Sequence, residues 1–263
     1  MAAAYLITFR EGLEAALIIG ILLSCLRALK MNQHQIYVWG GVVAGLILSL
    51  IFAWAFSLLL GGFEGKSEKI YEGLLMIGAA GLITHLIVWM RIQGRQIAEH
   101  LKTQVELSVK TGMLWSIAFI ALFSVVREGI ETVIFFQVLS VQSNGALPFI
   151  SGGAGVFSAV VLAVVIFYTT KKIPINEFFR YTSYFLILIS AGLLAHGVVE
   201  LQAAGWIPTY IKPLYDLSAI LPETTGLGSF LKAGFGYDAN PSLIAVMTYV
   251  TYLGIFGAIL RRR

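Results

Sequence analysis

Long apolar runs follow one another through this chain of 263 residues, and each is about 20 residues long. A helical run of this length crosses the hydrocarbon core of a bilayer. Only 12% of the residues are charged, against roughly 25% in soluble domains. The ten-residue alternation that is typical of membrane β-barrels is absent from the sequence. The sequence therefore predicts an all-α polytopic membrane protein.

Polar residues, glycines and prolines divide the apolar runs into seven predicted transmembrane helices. These helices cover approximately residues 4–27, 37–60, 70–90, 112–140, 147–170, 178–200 and 241–260. The connection at 91–111 is polar, basic and compatible with a helix. The connection at 201–240 contains three prolines, which favour an irregular loop with short helices. The first run lacks a preceding basic segment, so we expect a retained helix rather than a cleaved signal peptide.

Two near-identical motifs place ionisable residues in the middle of apolar helices. Arg10-Glu11-Gly12-Leu13-Glu14 lies in the first predicted helix, and Arg127-Glu128-Gly129-Ile130-Glu131 lies in the fourth. An ionisable group at mid-depth costs about 2.5–3.5 kcal/mol on insertion scales, and residues retained at that cost are generally functional. The two motifs are therefore the first candidates for a functional site.

Other landmarks recur in the same order as the motifs. Gly40-Gly41 is matched by Gly152-Gly153, and Gly81–His85 by Gly192–His196, at offsets of 112 and 111 residues, close to the motif offset of 117. This pattern predicts two three-helix repeats with opposite orientations, a plan of secondary transporters that places the substrate site near the midplane. We expect one integral membrane domain over 1–263, with repeats at about 1–95 and 110–205, an extracytoplasmic loop at about 201–240 and a last helix at about 241–260.

The motif glutamates are suited to binding a metal cation. Glu11 and Glu14 lie about 60° apart on one helix face, and an inverted repeat would bring the first and fourth helices together. Carboxylate oxygens suit hard cations, including iron(III). Alternatively, each arginine pairs only with its own glutamates in a structural latch, which leaves surplus negative charge unexplained. We expect a metal site formed by Glu11, Glu14, Glu128 and Glu131, supported by Arg10 and Arg127.

Further ionisable residues are candidates for an outer mouth or a secondary site. Glu68 and Glu72, at the outer end of the third helix, either gather cations or favour the helix start. His85 and His196 match between the repeats and either bind metal, relay protons or hydrogen-bond neighbouring helices. Glu200 fits an interfacial or loop-anchoring carboxylate better than a ligand.

The basic residues predict the orientation in the membrane. Four fall on one side of the seven helices (Lys66, Lys69, Lys212 and Lys232), and twelve fall on the other: Arg27, Lys30, Arg91, Arg95, Lys102, Lys110, Lys171, Lys172, Arg180, Arg261, Arg262 and Arg263. The positive-inside rule then places the C-terminus in the cytoplasm and the N-terminus outside.

Several functional classes are disfavoured. The sequence has no nucleotide-binding P-loop and no Glu-x-x-His pair of the kind used by helical di-iron enzymes. The single cysteine, Cys25, excludes a multi-cysteine metal site. The formal charge of +4 resides mostly in short loops and implies no nucleic-acid partner. We therefore expect a transporter in membrane lipid rather than an enzyme, and the oligomeric state is not readable.

Phe9–Ala15 and Val126–Glu131 resemble the paired motifs of the oxidase-dependent iron permease family, in its bacterial EfeU-type branch. Phe63–Glu68, Glu200–Gly205 and Leu214–Ser218 are similar as well, so that the resemblance covers essentially the whole chain. It implies iron uptake across the cytoplasmic membrane, with the four motif glutamates as iron ligands and the two arginines as part of the same motifs.

The resemblance also implies a partner and a cargo. Iron is expected to pass as iron(III), supplied by a separate extracytoplasmic ferroxidase or iron-binding protein, with no resident cofactor. Some relatives are assigned to other metals, including lead. Transport of another metal such as manganese or lead, and a non-transporting membrane scaffold, are the alternatives.

Overall fold

The structure is a computed structural model that describes residues 2–60, 64–93, 97–142, 147–168 and 175–261. Within these residues the regular secondary structure is helical, with one short 3-10 turn at Asn32–His34 and no strand. The nine α-helices in this part of the chain are α1 (Ala2–Ala28), α2 (Gln35–Leu60), α3 (Lys66–Gln93), α4 (Ile97–Thr111), α5 (Trp115–Gln142), α6 (Leu147–Tyr168), α7 (Ile175–Ala203), α8 (Gly226–Phe235) and α9 (Leu243–Arg261).

The long helices coincide with the seven predicted apolar segments, and their ends differ from the prediction by a few residues. Among the described residues, four segments are both long enough and apolar enough to cross a membrane: Asn32–Leu58, Lys66–Met90, Phe149–Phe167 and Phe179–Ala203. The apolar stretch of α9, Leu243–Ile259, is shorter. Helices α1 and α5 have 27 and 28 residues, but the charged motifs interrupt their apolar sequence. The prediction of a helical membrane protein is confirmed at this level.

Both long connections have the predicted character. The polar stretch before α5 forms α4, which packs against α1 and α5. The loop between α7 and α9 is irregular apart from α8. The side chain of Thr225 caps the start of α8 by accepting a hydrogen bond from the Gly228 N–H, and Gly236 ends the helix in the left-handed conformation with φ 69°.

The long helices pack in a pattern of matched pairs. Helix α1 lies along α6, and α2 lies along α5. The contacts of Gly12 with Ala159 and of Gly20 with Phe167 advance in the same direction, so α1 and α6 are parallel. Contacts between Gly41 and Ala118 and between Gly129 and Ser49 make α2 and α5 parallel in the same way. Glycine at these positions allows the close approach of helices within a membrane.

Helices α3 and α7 form the remaining central pair. The Ser190 hydroxyl donates a hydrogen bond to the Ala80 carbonyl oxygen, and Gly73 approaches Gly197, so the two helices are antiparallel. A buried apolar cluster joins this pair to α1, α5 and α9, with Ile7 and Phe135 among its members. Helix α9 packs against α7, while α1 and α5 contact each other directly and bring the two motifs together.

Some predictions concern residues that the structure does not describe. The predicted fifth span extends to residues 169–170, which are not described. The side chains of seven of the twelve basic residues used for the orientation also lie outside the described part: Arg91, Arg95, Lys171, Lys172, Arg261, Arg262 and Arg263. The predicted division of the domain into repeats remains a prediction.

Candidate functional site

Three glutamates from the two motifs meet between α1 and α5. One carboxylate oxygen from each of Glu11, Glu128 and Glu131 lies within 4.8 Å of the others. Glu128 and Glu131 are three residues apart and share one face of α5, and Glu11 approaches from the middle of α1. Glu11 and Glu128 are buried, and Glu131 is half-buried. We call these three residues the glutamate triad.

Each residue of the triad keeps an oxygen without a partner. The Oε2 atoms of Glu11, Glu128 and Glu131 are buried and have no hydrogen-bond partner among the described residues. Carboxylates facing one another in a desolvated site are unfavourable unless a cation or protons neutralise them. The arrangement therefore offers oxygen ligands at a spacing that a single metal ion can bridge.

Arg10 is fully buried, with 1% of its side chain exposed, and it holds the carboxylates of its own motif. Its Nη1 atom donates a hydrogen bond to Glu11 Oε1 at 2.9 Å, and its Nη2 atom lies 2.7 Å from Glu14 Oε1. Glu14 is also buried, but it lies outside the triad. The guanidinium thus supplies positive charge beside Glu11 and engages Glu14 directly.

Arg127, the matching residue of the second motif, lies in a different environment. Its side chain is 39% exposed, and its Nε atom lies 3.2 Å from Glu131 and 3.9 Å from Glu128. The guanidinium also lies 4.4 Å from the ring centroid of Trp89 on α3, which is a cation–π contact. The two motifs are alike in sequence but unequal in burial.

A second polar site lies at the N-terminal end of α3 and the C-terminal end of α7. It is a cavity of about 270 Å³ that we call the acidic chamber. Its charged and polar lining residues are Lys69, Glu72, His196, Glu200, Glu223, Lys232 and Asp238. Four carboxylates and two ammonium groups give this lining a formal net charge of −2.

Two lysines hold carboxylates of the acidic chamber. The Lys69 ammonium lies 3.0 Å from Glu72 Oε2 and 3.0 Å from Glu200 Oε2. Lys232 pairs with Glu223, which also accepts a hydrogen bond from the Ala239 N–H. Burial raises the pKa of Glu223, but these hydrogen bonds outweigh it and hold the pKa below its usual value. Glu223 is therefore ionised at neutral pH and anchors the loop before α9 to α8.

The candidates for a secondary site fall in different places. Glu72 and His196 line the acidic chamber, and His196 Nε2 is buried without a hydrogen-bond partner among the described residues. Glu68 and His85 are exposed and do not line it. The structure therefore brings one acid and one histidine of the four candidates together.

Other residues of these sites were not predicted as such. The three-residue spacing of Lys69 and Glu72 indicates their ion pair, but the contact of Lys69 with Glu200 depends on the packing of α3 against α7. The contact of Trp89 with Arg127 brings α3 and α5 together, and no sequence pattern indicates it.

Comparison with known proteins extends these observations. Residues 1–261 match the family described as "Iron permease FTR1 family". The chain is 31% identical over 95% of its length to the "Ferrous iron permease EfeU" of Yersinia pestis, of which it covers 89%. It is 29% identical to the protein of that name from Escherichia coli O6:K15:H31 (strain 536 / UPEC), over 95% of this chain and 91% of the relative. No solved structure matches the chain.

Proposed function

Because the chain belongs to the iron permease FTR1 family, we propose that it carries iron across the cytoplasmic membrane through a site built by Glu11, Glu128 and Glu131. The observation that carries this proposal is the triad itself, with three carboxylate oxygens within 4.8 Å of one another. Iron is the cargo, and the relatives are named as permeases rather than as enzymes.

The proposed iron site follows from the chemistry of the triad. Carboxylate oxygens bind hard cations, and one metal ion can be reached by one oxygen from each of the three carboxylates. Glu14, on the same helix as Glu11, is proposed as a supporting carboxylate that is held by Arg10 beside the triad. Arg10 engages Glu14 and adds positive charge, which weakens cation binding and favours release. A transport site needs such reversibility.

We also propose that α1, α2, α3, α5, α6, α7 and α9 all cross the membrane, as two inverted repeats followed by α9. The helix packing supports this arrangement, because the α1–α6 and α2–α5 pairs exchange when the two repeats are exchanged. The antiparallel packing of α3 against α7 fits the same symmetry. The triad would then lie where the repeats meet, as in other transporters of this plan.

The orientation and the membrane belong to the same proposal. The basic residues of the sequence place α4 and the C-terminus in the cytoplasm and the α8 loop outside. Lys102 and Lys110 lie on α4, and Arg27 lies in the last turn of α1, which packs against α4. The acidic chamber then faces the side from which iron arrives.

The oxidation state in which iron passes can be determined by measuring its uptake with and without an oxidase. The relatives are named ferrous iron permeases, whereas the family resemblance implies iron(III) delivered by a separate extracytoplasmic oxidase or iron-binding protein. Carboxylate ligands accept either state. Uptake of iron(II) without an oxidase would establish passage as iron(II), whereas uptake that requires an added ferroxidase would establish passage as iron(III).

The deciding experiment measures uptake of radioactive iron into vesicles that contain only this protein. Each assay is run with iron(II) and with iron(III), with and without a ferroxidase. The test variant is Glu11→Gln/Glu128→Gln, and the matched control is Glu99→Gln on α4, an exposed glutamate away from the triad. We expect uptake by the wild type and the control but not by the double variant.

Two results would count against the proposal. Wild-type uptake in the double variant would exclude the triad as the pathway. Preferential flux of manganese or lead in a competition assay would show that the protein is a transporter but that iron is not its preferred cargo. The amount of protein recovered in the vesicles must be equal for all variants, so that failed insertion is not counted as failed transport.

A further inference from the structure

The acidic chamber is separate from the glutamate triad. Met76 lines the chamber and belongs to the buried apolar cluster that also contains Ile7 and Phe135. Ile7 precedes Glu11 by one helical turn, and Phe135 follows Glu131 by one turn. The apolar cluster therefore stands between the chamber and the triad, and no residue of the triad lines the chamber.

The chamber contains groups that are typical metal ligands. His196 and Glu200 are four residues apart on α7, so both side chains project from one face of the helix toward the cavity. Glu72 faces them from α3 and shares Lys69 with Glu200. Two carboxylates and one imidazole form a ligand set that suits first-row transition metals, including iron.

Two observations point to a bound cation. The Nε2 atom of His196 is buried in the chamber wall with no hydrogen-bond partner in the described part of the chain, although such atoms are normally satisfied. The Lys69 ammonium lies 3.0 Å from a carboxylate on each side, which is the position of a cation shared by Glu72 and Glu200. The Lys69 ammonium thus occupies the place of the ion and neutralises part of the negative charge of the chamber.

We propose that the acidic chamber is a second metal site, in which a divalent transition-metal cation displaces Lys69 and binds Glu72, Glu200 and His196. This inference rests on the proposed function for the identity of the cargo, but the binding itself does not depend on transport. Glu223 and Asp238 line the same cavity, so their carboxylates can balance the charge of the displaced Lys69 ammonium. Lys232 remains paired with Glu223.

The test uses the full-length protein in detergent and Mn²⁺ as the probe, because Mn²⁺ is paramagnetic and binds to both carboxylate and imidazole. Binding is titrated by electron paramagnetic resonance in the Glu11→Gln/Glu128→Gln background, which removes two ligands of the triad. We expect one Mn²⁺ to remain bound per chain. Added Glu200→Gln should weaken that binding by about tenfold or more, the order found when metal sites lose supporting groups.

Two further variants test the roles of Lys69 and His196. Lys69→Met should strengthen Mn²⁺ binding, by about tenfold if both half-exposed ion pairs oppose the metal. Pulsed measurements should show an imidazole-nitrogen signal on the bound Mn²⁺ that His196→Gln removes. His85→Gln, at the matching sequence position on α3, should leave the signal unchanged because His85 lies outside the chamber.

The outcomes separate this proposal from the proposed function. No Mn²⁺ bound in the triad-deficient background, or binding unaffected by Glu200→Gln and Lys69→Met, would overturn the second site. These results would leave iron flux through the triad untouched. Failed flux in wild-type vesicles, together with normal Mn²⁺ binding in the chamber, would instead overturn the transport proposal alone. Variants that elute as aggregates are replaced by Glu72→Gln, which removes a different ligand of the same site.

Discussion

The two arginines of the duplicated motif show how burial changes the role of one residue type. Arg10 is almost completely enclosed and contacts two carboxylates on its own helix, whereas Arg127 is 39% exposed and lies over Trp89. Removing one partner from a buried ion pair is costly because it leaves an uncompensated charge, but an exposed pair contributes little. The same substitution is therefore expected to act differently in the two motifs.

We expect Arg10→Gln to destabilise the protein far more than Arg127→Gln. Loss of the Arg10 guanidinium leaves Glu11 and Glu14 buried without their cation, at a cost of about 3–5 kcal/mol. Loss of Arg127 removes one cation–π contact and two ion pairs in which the arginine itself is 39% exposed, together about 1–2 kcal/mol. Thermal unfolding in detergent, followed by the soluble fraction on size-exclusion chromatography, gives the comparison. Equal losses of stability would show that the two environments are equivalent.

The two glutamates of the first motif are also expected to differ. Glu11 belongs to the triad, whereas Glu14 acts on it through Arg10. We expect Glu11→Gln to weaken Mn²⁺ binding at the triad by about 100-fold or more, and Glu14→Gln by about tenfold. Titrations in the Glu200→Gln background, which suppresses the acidic chamber, measure the triad alone. If Glu14→Gln weakens Mn²⁺ binding more than Glu11→Gln does, Glu14 is a direct ligand of the metal.

At the scale of the helices, close backbone approach determines which glycines are replaceable. A Cβ atom at Gly192 on α7 would lie 2.6 Å from the Cα atom of Gly236, which ends α8. A Cβ atom at Gly81, the matching position on α3, would meet nothing within 4 Å. Gly192 thus allows α8 and its loop to pack closely against α7 beside the acidic chamber. Gly81, at the matching sequence position, has no such role.

Gly192→Ala is accordingly expected to displace α8, while Gly81→Ala is expected to be neutral or slightly stabilising. Backbone atoms cannot move aside as a flexible side chain does, so the added methyl group shifts the loop that carries Glu223 and Lys232. Limited proteolysis of the loop between α7 and α9 should become faster in Gly192→Ala and stay unchanged in Gly81→Ala. An unchanged cleavage rate in both variants would show that α8 is held by other contacts.

These glycines also show how far the sequence was informative. The periodic apolar runs predicted the long helices, and the duplicated motif predicted that α1 and α5 bring glutamates together. The sequence repeat places Gly81 and Gly192 at matching positions, although only Gly192 packs closely against another helix, at the end of α8. The exclusion of Glu14 from the triad and the contact of Lys69 with Glu200 could not be predicted, because both depend on how helices distant in sequence pack.

At the scale of the whole molecule, the parallel pairs α1–α6 and α2–α5 surround the glutamates, and α3 and α7 cross beside them. This arrangement is the basis of the proposed inverted repeat. It requires α4 and the α8 loop to lie on opposite sides of the membrane, since an odd number of spanning helices separates them. The topology can therefore be tested at two exposed positions.

We expect a cysteine at position 99 to be protected in intact cells and a cysteine at position 224 to be labelled. Glu99→Cys lies on α4 and Thr224→Cys lies before α8, and both residues are exposed. The background is Cys25→Ser, which removes the single native thiol. Labelling with a membrane-impermeant maleimide, before and after lysis, gives the sidedness. Labelling of both positions in intact cells would contradict the proposed topology.

The unpartnered oxygens of the glutamate triad have a thermodynamic consequence. A cation that binds the folded chain and not the unfolded chain adds stability by mass action, about 2.7 kcal/mol at a concentration 100-fold above its dissociation constant. If the triad binds the transported ion as proposed, the ion-free protein is the least stable form. A chelator should lower the melting temperature of the wild type but not that of Glu11→Gln/Glu128→Gln/Glu200→Gln, so the lifetime of the carrier would follow the supply of the ion it carries.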